Sequence, residues 1–513
     1  MRRLIFFIIL LAVMAACGDG GNIENMPEII VPPIIIADAD LPGDLPVLAV
    51  DEPPLPEPDI PTINEHNISL YFEPETRMIF GIQSVRYTNR TDTVFNELVF
   101  RAHLNAWDGS EIPYSAEFYE RIFRRGRDYG FMEISHVSQD NEELPFILRG
   151  TVLTIDLARP LEPDETIHLN IQFEAYIPEI AHRIGANERA VWIGGAFFPV
   201  EAVFGPEGWH IEPYYPVGRP FIQDVANYTV DITTPLGYIV AGTGVKTENY
   251  LYDSKITTFT AQLARDFAFA ISPYFHRSVK TTSTGVGINL YHYTSDLDVE
   301  RILDVAADAI TMFEEMIGPY PYPNLCIVET DMFRAGEAFS SIVFMDSNHL
   351  RTSPTLHSLR NEIGRQWFSI IIGGNPIEET WLNGGLALLL QENLLGQPEL
   401  RDLIERDHID LQEWQHLIYS EDSRRIASRI DSYERWTDYF RIQHRKARIM
   451  FYALYREMGE ENFMYLLREY YRQFAFQIAA SEDFIELAEE IHGRSLRRFF
   501  SQWLYTTELP ELP

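Results

Sequence analysis

The sequence predicts an α+β protein in which an antiparallel, β-rich domain is followed by a mainly helical one. Between Asn64 and Pro273, β-branched and aromatic residues alternate with polar ones in short runs that turn residues separate, as in half-buried strands. From Asp296 to Met316 the apolar residues recur with a helical period. Because 513 residues exceed what one hydrophobic core usually serves, at least two domains are expected.

The individual strands and helices are predicted from the same alternating and helical patterns of apolar residues. The clearest predicted strands are 68–72, 151–155, 167–173, 228–233 and 255–261. Later helices are predicted at 356–371, 381–395, 400–418, 438–458, 461–474 and 481–491. We therefore place the boundary after Pro273, which gives a β-rich domain at 63–273 and a helical domain at 274–513.

The amino terminus has the three parts of an export signal. Positive charges at Arg2 and Arg3 precede the apolar run 4–14, and two alanines precede Cys17. The apolar run is too short to span a bilayer. The segment resembles a bacterial lipoprotein signal, which implies a signal peptide at 1–16 and a lipid on Cys17. An ordinary secretory signal, or an N-terminal anchor with a chance cysteine, is the alternative.

A lipid on Cys17 would make the membrane a partner of this protein. The chain would then lie in the bacterial cell envelope, attached to the membrane and facing out of the cytoplasm. The segment 17–62 that follows holds ten of the 31 prolines and many acidic residues. Such a composition is typical of an extended, disordered spacer.

Charge and cysteine content exclude some classes of function. The formal net charge is −35, and so acidic a surface repels the phosphates of nucleic acids. With Cys17 carrying lipid, Cys326 is the single remaining cysteine and cannot form an internal disulfide. Since Cys326 lies in an apolar stretch, we predict that it is a small buried hydrophobe rather than a nucleophile.

The most specific motif is residues 361–387, NEIGRQWFSIIIGGNPIEETWLNGGLA. It resembles the active-site frame of the aminopeptidase N-like gluzincin metallopeptidases, peptidase family M1. That family carries H-E-x-x-H-Q-W on one helix and W-L-(N/D)-E-G-(F/L)-A on the next. The residues in register with the frame are Glu362, Gln366, Trp367, Trp381, Leu382, Gly385, Leu386 and Ala387.

The same alignment places Asn361, Arg365 and Gly384 at the family's three zinc-ligand positions. A zinc site of this type uses two imidazoles one helical turn apart and one carboxylate. Asn361 offers a neutral carbonyl oxygen, Gly384 has no side chain, and the protonated guanidinium of Arg365 cannot coordinate a cation. We therefore expect that zinc is lost and that no cofactor is bound.

Other catalytic positions of the family also differ in this chain. The segment 335–344 resembles the strand whose glutamate binds the substrate's amino terminus, and that position is Ala338. Glu337 is one position early, which on a strand points a side chain to the opposite face. His444 stands where the family has its oxyanion-stabilising Tyr. Only Glu362 matches, as a vestigial general base without a metal-bound water to activate.

The resemblance runs from about Ile68 to Pro510, nearly the whole chain after the spacer. Weaker signals in the family's order are residues 85–107, 209–228, 241–244 and 318–323. The resemblance implies a saddle-like β-rich N-terminal domain and a thermolysin-like, mainly helical gluzincin domain. A cleft between these domains could still bind a peptide or protein ligand. Its expected lining is Phe339, Trp367, Phe368 and Trp381, with ordinary core positions as an equal alternative for each of them.

Three expectations concern charges and histidines near the motif. Glu362 and Arg365 are three residues apart, a spacing that predicts an ion pair on one helix. The guanidinium would then stand in for the metal and neutralise Glu362, and Glu378 or Glu379 as well. A displaced metal site at His357, with His349 or His444, is an alternative.

Three functions follow from these observations. The first is a lipid-anchored, extracytoplasmic pseudo-peptidase that is not an enzyme and acts by binding a peptide or a partner. The second, implied by the family, is an active zinc metallo-aminopeptidase with an altered metal site. The third is a metal-independent hydrolase using Ser340 or Ser341, although the chain has no G-x-S-x-G elbow.

Overall fold

The computed structural model describes residues 63–110, 116–195, 197–353, 356–391 and 424–507. The described residues belong to one compact unit, Leu55–Pro513. The predicted signal peptide, Cys17, the whole spacer 17–62 and the predicted helix 400–418 lie outside the described residues. No described helix is long and apolar enough to cross a membrane.

The β-rich part is built on an eight-stranded sheet, whose order is β16-β17-β14-β1-β2-β8-β4-β5. Its strands are β1 (Asn64–Glu73), β2 (Met78–Thr88), β4 (Phe131–Gln139), β5 (Glu142–Glu143), β8 (Thr166–Tyr176), β14 (Ala226–Pro235), β16 (Val245–Tyr250) and β17 (Ser254–Ala264). Alternate residues of β1, β2, β8 and β14 are buried, as the period-two pattern predicts. The prediction of antiparallel strands needs one correction, because β1 and β14 pair in parallel.

Three smaller antiparallel sheets complete this part of the chain. One contains β9 (Ile184–Ala186), β10 (Val191–Ile193), β15 (Ile239–Gly242) and β18 (Phe269–Ser272); the second contains β3 (Phe95–Arg101), β6 (Phe146–Arg149), β7 (Val152–Leu161) and β11 (Val200–Glu201); the third contains β12 (Phe204–Gly205) and β13 (Gly208–Trp209). Val230 of the large sheet and Ile193 and Phe269 of a smaller one share a buried apolar cluster. The five predicted strands are all confirmed within these sheets.

A mixed five-stranded sheet follows, in a region that the sequence predicted as mainly helical. Its order is β19-β20-β21-β23-β22, with β20, β21 and β23 parallel. Its strands are β19 (His276–Thr281), β20 (Gly287–His292), β21 (Asn324–Thr330), β22 (Gly336–Phe339) and β23 (Ile342–Asp346). The expected single strand 335–344 is a hairpin, because Ser341 adopts a positive φ of 53° and reverses the chain.

Helices make up most of the rest of the described chain. They are Ala116–Ile122, Val299–Met316, Ser347–Thr352, His357–Arg365, Trp381–Leu390, Trp436–Tyr439, Ala447–Met458, Glu460–Phe474, Ser481–His492 and Arg497–Tyr505; short 3-10 turns lie at His103–Trp107 and Ile430–Ser432. Two segments are π-helical, Gln366–Ile371 and Phe440–Lys446. The α+β prediction is confirmed, although the helices Ala116–Ile122, Ser347–Thr352 and Arg497–Tyr505 were not predicted.

The helical core positions the motif residues. Phe313, Trp367, Trp381 and Phe451 belong to one large buried cluster. Trp367 stacks on Phe313, and Trp381 stacks on Phe451. These contacts hold the helices His357–Arg365 and Trp381–Leu390 against their neighbours in the core. The positions of Asn361, Arg365 and Gly384 on these helices are thereby fixed.

Candidate functional site

Three helical elements bring the predicted ligand positions together. Asn361 and Arg365 lie one turn apart on the helix His357–Arg365, and Gly384 lies on the helix Trp381–Leu390. The π-helical segment Phe440–Lys446 packs against the helix Trp381–Leu390. It supplies His444, whose ring lies beside Arg365 of the other helix. A π-helical turn is frequent at functional sites because it displaces side chains from the ordinary helical register.

Arg365 occupies the space between these residues. Its Nε lies 3.6 Å from Oε2 of Glu362 and donates to Oδ1 of Asn361 at 3.3 Å. Its Nη2 lies 3.1 Å from Nδ1 and 3.3 Å from Nε2 of His444. The predicted ion pair with Glu362 is therefore confirmed, and the guanidinium contacts residues at two further family site positions.

His444 fills the space that a side chain at position 384 would need. A Cβ added to Gly384 would lie 2.8 Å from both Cε1 and Nδ1 of the imidazole, closer than carbon atoms pack. Burial lowers the pKa of His444 well below its ordinary value, and the charges of Arg365 and Arg334 lower it further. A neutral imidazole can accept a hydrogen bond from Arg365, which explains why the two groups lie together.

Glu362 lies against the hairpin β22–β23. Burial raises the pKa of its carboxyl, the charge of Arg365 opposes that shift, and the charge of Glu337 adds to it. A Cβ on Gly336 would lie 3.2 Å from Cγ of Glu362, so the strand passes directly beside this side chain. Glu362 is thus a largely buried acid beside the cation of Arg365. Burial outweighs the nearby charge, so the carboxyl stays protonated at a higher pH than usual.

Glu337 and Ala338 point in different directions, as the strand period predicts. Ala338 is buried in the helical core. Glu337 is turned away from Ala338, and its charge still adds to the raised pKa of Glu362. Glu337 is also ion-paired with Arg334 and, at 3.3 Å, with Nη2 of Arg183. Sequence reasoning missed both arginines; the i, i+3 spacing of Arg334 and Glu337 was the available signal.

The aromatic residues expected on a cleft wall are core residues instead. Phe339, Trp367, Phe368 and Trp381 are at most 1% exposed. Trp367 donates its indole N–H to the carbonyl of Gly318 at 2.9 Å, which satisfies its polar atom inside the core. Since none of these four side chains reaches solvent, they cannot line an open cleft in this structure.

Ser340 and Ser341 serve the hairpin turn. Oγ of Ser340 accepts from the backbone amides of Arg265 at 3.0 Å and Asp266 at 3.2 Å. Oγ of Ser341 accepts from the amide of Gly244 at 2.8 Å. Both hydroxyls are buried and hydrogen-bonded to backbone, with no histidine among these partners. This arrangement does not resemble an activated nucleophile.

The remaining predicted site residues have partners elsewhere. Nδ1 of His349 lies 3.0 Å from Asp346, Glu378 pairs with Arg429, and Oε2 of Glu379 accepts from the amide of Ser481. Glu378 and Glu379 therefore do not balance Arg365. Across the described ranges, no group of three or more His, Cys, Asp or Glu side chains is arranged to hold a metal ion.

Cys326 is buried, as predicted. Burial raises the pKa of its thiol to about 11. The thiol is therefore protonated at neutral pH and is a poor nucleophile.

The donor set at the three ligand positions does not fit zinc. Asn361 presents an amide oxygen that already accepts from Arg365, and Gly384 presents no atom beyond its backbone. The guanidinium of Arg365 carries a fixed positive charge and has no lone pair available for a metal. Arg365 places a positive charge in this space, where it already attracts Glu362 at 3.6 Å, and this charge suits an anion rather than a cation.

Comparison with known sequences identifies relatives for this region. The model of the peptidase family M1 domain matches residues 301–503. Aminopeptidase O from Rattus norvegicus is 24% identical over 248 residues, 42% of this chain and 30% of that protein. Aminopeptidase M1 from Arabidopsis thaliana is 24% identical over 247 residues, 43% of this chain and 27% of that protein. The match thus spans less than a third of the length of these curated relatives.

Solved structures share the fold of the described chain. The M1 zinc metallopeptidase from Deinococcus radiodurans matches with a TM-score of 0.65 at 16% identity, covering 88% of this chain and 95% of that chain. Aminopeptidase A from Legionella pneumophila, solved in complex with aspartic acid, matches with a TM-score of 0.62 at 15% identity, covering 86% of this chain and 49% of that chain. At such identities the likeness concerns the fold alone.

Proposed function

Because the chain belongs to peptidase family M1 through residues 301–503, we propose that it is a pseudo-peptidase of that family. In this proposal it has lost zinc and catalysis and acts by binding a peptide or a protein partner. The single observation that carries the proposal is the position of Arg365. Its guanidinium lies within 3.6 Å of Glu362, Asn361 and His444, which match site positions of the family in the sequence resemblance.

Two further features support this proposal. His444 occupies the side-chain space of Gly384, so the third ligand position lacks both a carboxylate and the room for one. The family's amino-terminus-binding position is Ala338, which is buried in the helical core. Loss of metal, loss of the substrate anchor and loss of the oxyanion-stabilising group each remove a separate contribution to catalysis. Restoring one of them alone would therefore not restore turnover.

The metal content of the purified chain tests the proposal. We expect far less than one zinc per chain after purification without chelator. We also expect no hydrolysis of aminoacyl-4-nitroanilides above buffer, with or without added zinc. Near-stoichiometric zinc with chelator-sensitive hydrolysis would establish the active aminopeptidase instead, as the names of the relatives imply. Hydrolysis that survives chelator would favour the metal-independent hydrolase.

We also propose that the chain is held at a membrane of the bacterial cell envelope by lipid on Cys17, facing out of the cytoplasm. The order of charges, apolar run and small residues before this cysteine supports the proposal. The acidic composition also suits a domain kept away from anionic lipid by a spacer.

Detergent-phase partitioning of a Cys17→Ser variant tests the anchor. With both proteins expressed in a bacterium that processes lipoproteins, the natural chain should enter the detergent phase and the variant the aqueous phase. The reason is that covalently attached acyl chains stabilise membrane attachment, whereas the spacer itself is acidic and rich in proline. An ordinary secretory signal would leave both proteins in the aqueous phase. An uncleaved anchor would leave both in the detergent phase.

A further inference from the structure

A small polar cavity lies beside Arg365. It has a volume of about 30 Å³, within about 500 Å³ of empty space that includes a part open to solvent. Gly384, Tyr439 and His444 form part of its wall, so it lies at the site described above. The charged and polar side chains of its lining are Arg219, Gln223, Arg265, Arg365, Ser369, Thr380, Tyr439 and His444.

Three arginines give this cavity a positive potential. Arg265 donates to the backbone carbonyls of Ile370 and Gln223, at 2.8 and 2.6 Å, and no carboxylate among the described residues forms an ion pair with it. Arg219 pairs with Asp266. Arg365 has Glu362 as its carboxylate neighbour, at 3.6 Å. No carboxylate is present among the described residues that line the cavity, so a ligand there meets an excess of positive charge.

Three buried polar atoms of the lining have no hydrogen-bond partner among the residues that the structure describes. They are Oγ of Ser369, Oγ1 of Thr380 and Nε2 of Gln223, on side chains that are 7, 6 and 5% exposed. Arg365 also lines the cavity. A buried polar group without a partner is costly. The two hydroxyls and the amide can each donate a hydrogen bond, and no acceptor among the described residues satisfies them.

We propose that this cavity binds the carboxylate group of a ligand. A metal cation is excluded by the arginines, and a donor set of one guanidinium, two hydroxyls and an amide suits an anion. The enclosed volume of about 30 Å³ is roughly that of two water-sized spheres, which is room for the two oxygens of a carboxylate while the rest of the ligand extends into the part open to solvent.

This inference deepens the proposed function and rests on it in one respect, because the cavity must hold no metal. The overall charge of −35 repels anions at long range, so binding depends on the short-range donors. Two sources of a carboxylate fit the cavity, a free small acid and the carboxyl terminus of a peptide.

Titration calorimetry on the full purified chain tests the proposal. The probes are sodium acetate, the tripeptide Ala-Ala-Ala, its carboxyl-terminal amide and, as a salt control, sodium chloride at equal ionic strength. The test variant is Ser369→Ala with Thr380→Val, which removes two donors that have no partner in the described part of the chain. We expect carboxylate affinity to fall at least tenfold in this variant without loss of thermal stability.

A matched control is available in the β-rich part of the chain. Thr234 and Thr257, on β14 and β17, are also buried hydroxyls without a hydrogen-bond partner within the described ranges, and they do not line the cavity. The double variant Thr234→Val with Thr257→Val should keep the carboxylate affinity of the natural chain. A general effect of removing buried hydroxyls would instead change both double variants alike.

The binding results distinguish the two sources of the carboxylate, and some of them would contradict the proposal. Tighter binding of Ala-Ala-Ala than of acetate, with no binding of the amide, assigns the site to peptide carboxyl termini. Binding of acetate that is no weaker than that of the tripeptide assigns it to free small acids. If neither acetate nor the tripeptide binds, or if the Ser369→Ala with Thr380→Val variant binds as the natural chain does, the proposal is wrong. Failure here with no zinc in the protein would leave the pseudo-peptidase proposal standing, whereas stoichiometric zinc would overturn both.

Discussion

Zinc is expected to leave the melting temperature of the natural chain unchanged and to raise that of a variant with four substitutions. The first three, Asn361→His, Arg365→His and Gly384→Glu, supply two imidazoles one turn apart and a carboxylate. The fourth, His444→Ala, clears the ring that lies 2.8 Å from the Cβ position of residue 384. Zinc at one hundred times its dissociation constant would then stabilise the folded state by about 2.7 kcal/mol.

Two variants serve as controls for this experiment. The triple variant that keeps His444 should gain much less from zinc, because the new carboxylate has no room beside the imidazole. The variant that keeps Gly384 and carries the other three substitutions should also respond weakly, because two imidazoles are an incomplete site. Differential scanning calorimetry with zinc and with excess chelator provides the measurement. A zinc-dependent rise for the natural chain would contradict the loss of the metal site.

Arg365→Met is expected to lower the free energy of unfolding by about 3 kcal/mol, because it leaves Glu362 buried without its cation. The two side chains are 17 and 13% exposed, and their closest charged atoms are 3.6 Å apart. The matched control is Arg472→Met, which breaks an ion pair of the same i, i+3 spacing with Glu469 on the surface. There Arg472 is 47% exposed, so we expect a loss below about 1 kcal/mol. Urea unfolding of both variants provides the comparison.

The pH dependence of this loss follows from the pKa of Glu362. Burial raises that pKa in the folded protein, and Arg365 opposes the shift, so Arg365→Met should raise it further. A carboxyl with a raised folded pKa makes the protein lose stability as pH rises from the ordinary value, about 4.3, through the folded value. Adding Glu362→Gln to Arg365→Met should recover stability, and the recovery should grow with pH. A recovery that does not change with pH would contradict the assignment to Glu362.

The ion pair of Glu362 and Arg365 could be predicted from the sequence because it depends on one helix. Residues three apart lie on the same face of a helix whatever surrounds it. The burial of Cys326 could be predicted for a similar reason, since an apolar strand segment places its residues inside. In both cases the spacing along the chain determines the contact.

The contact between His444 and Gly384 could not be predicted in this way. The two residues are sixty positions apart, and their distance depends on how the segment Phe440–Lys446 packs on the helix Trp381–Leu390. The π-helical form of that segment shifts the register of its side chains, which no helical period in the sequence reveals. The cavity lined by Ser369, Thr380 and Gln223 depends on three separate elements in the same manner.

Aromatic residues were the least predictable. Trp367 and Trp381 lie within the motif. An apolar side chain at either position suits a cleft wall as well as a core. Only the packing of Phe313 and Phe451 against them decides that they are core. The hydrophobic effect favours burial of apolar surface but does not specify which neighbour provides it.

By itself, the sequence determined the α+β order of the domains, the family frame and the identity of the residues at the ligand positions. Those features depend on residue type and on spacing along the chain, which folding does not alter. The tertiary structure alone decided that Arg365 contacts Asn361, Glu362 and His444 together, and that unpartnered donors surround a cavity beside it. Such features depend on distances between segments remote in sequence, and these distances result from the packing of the whole core.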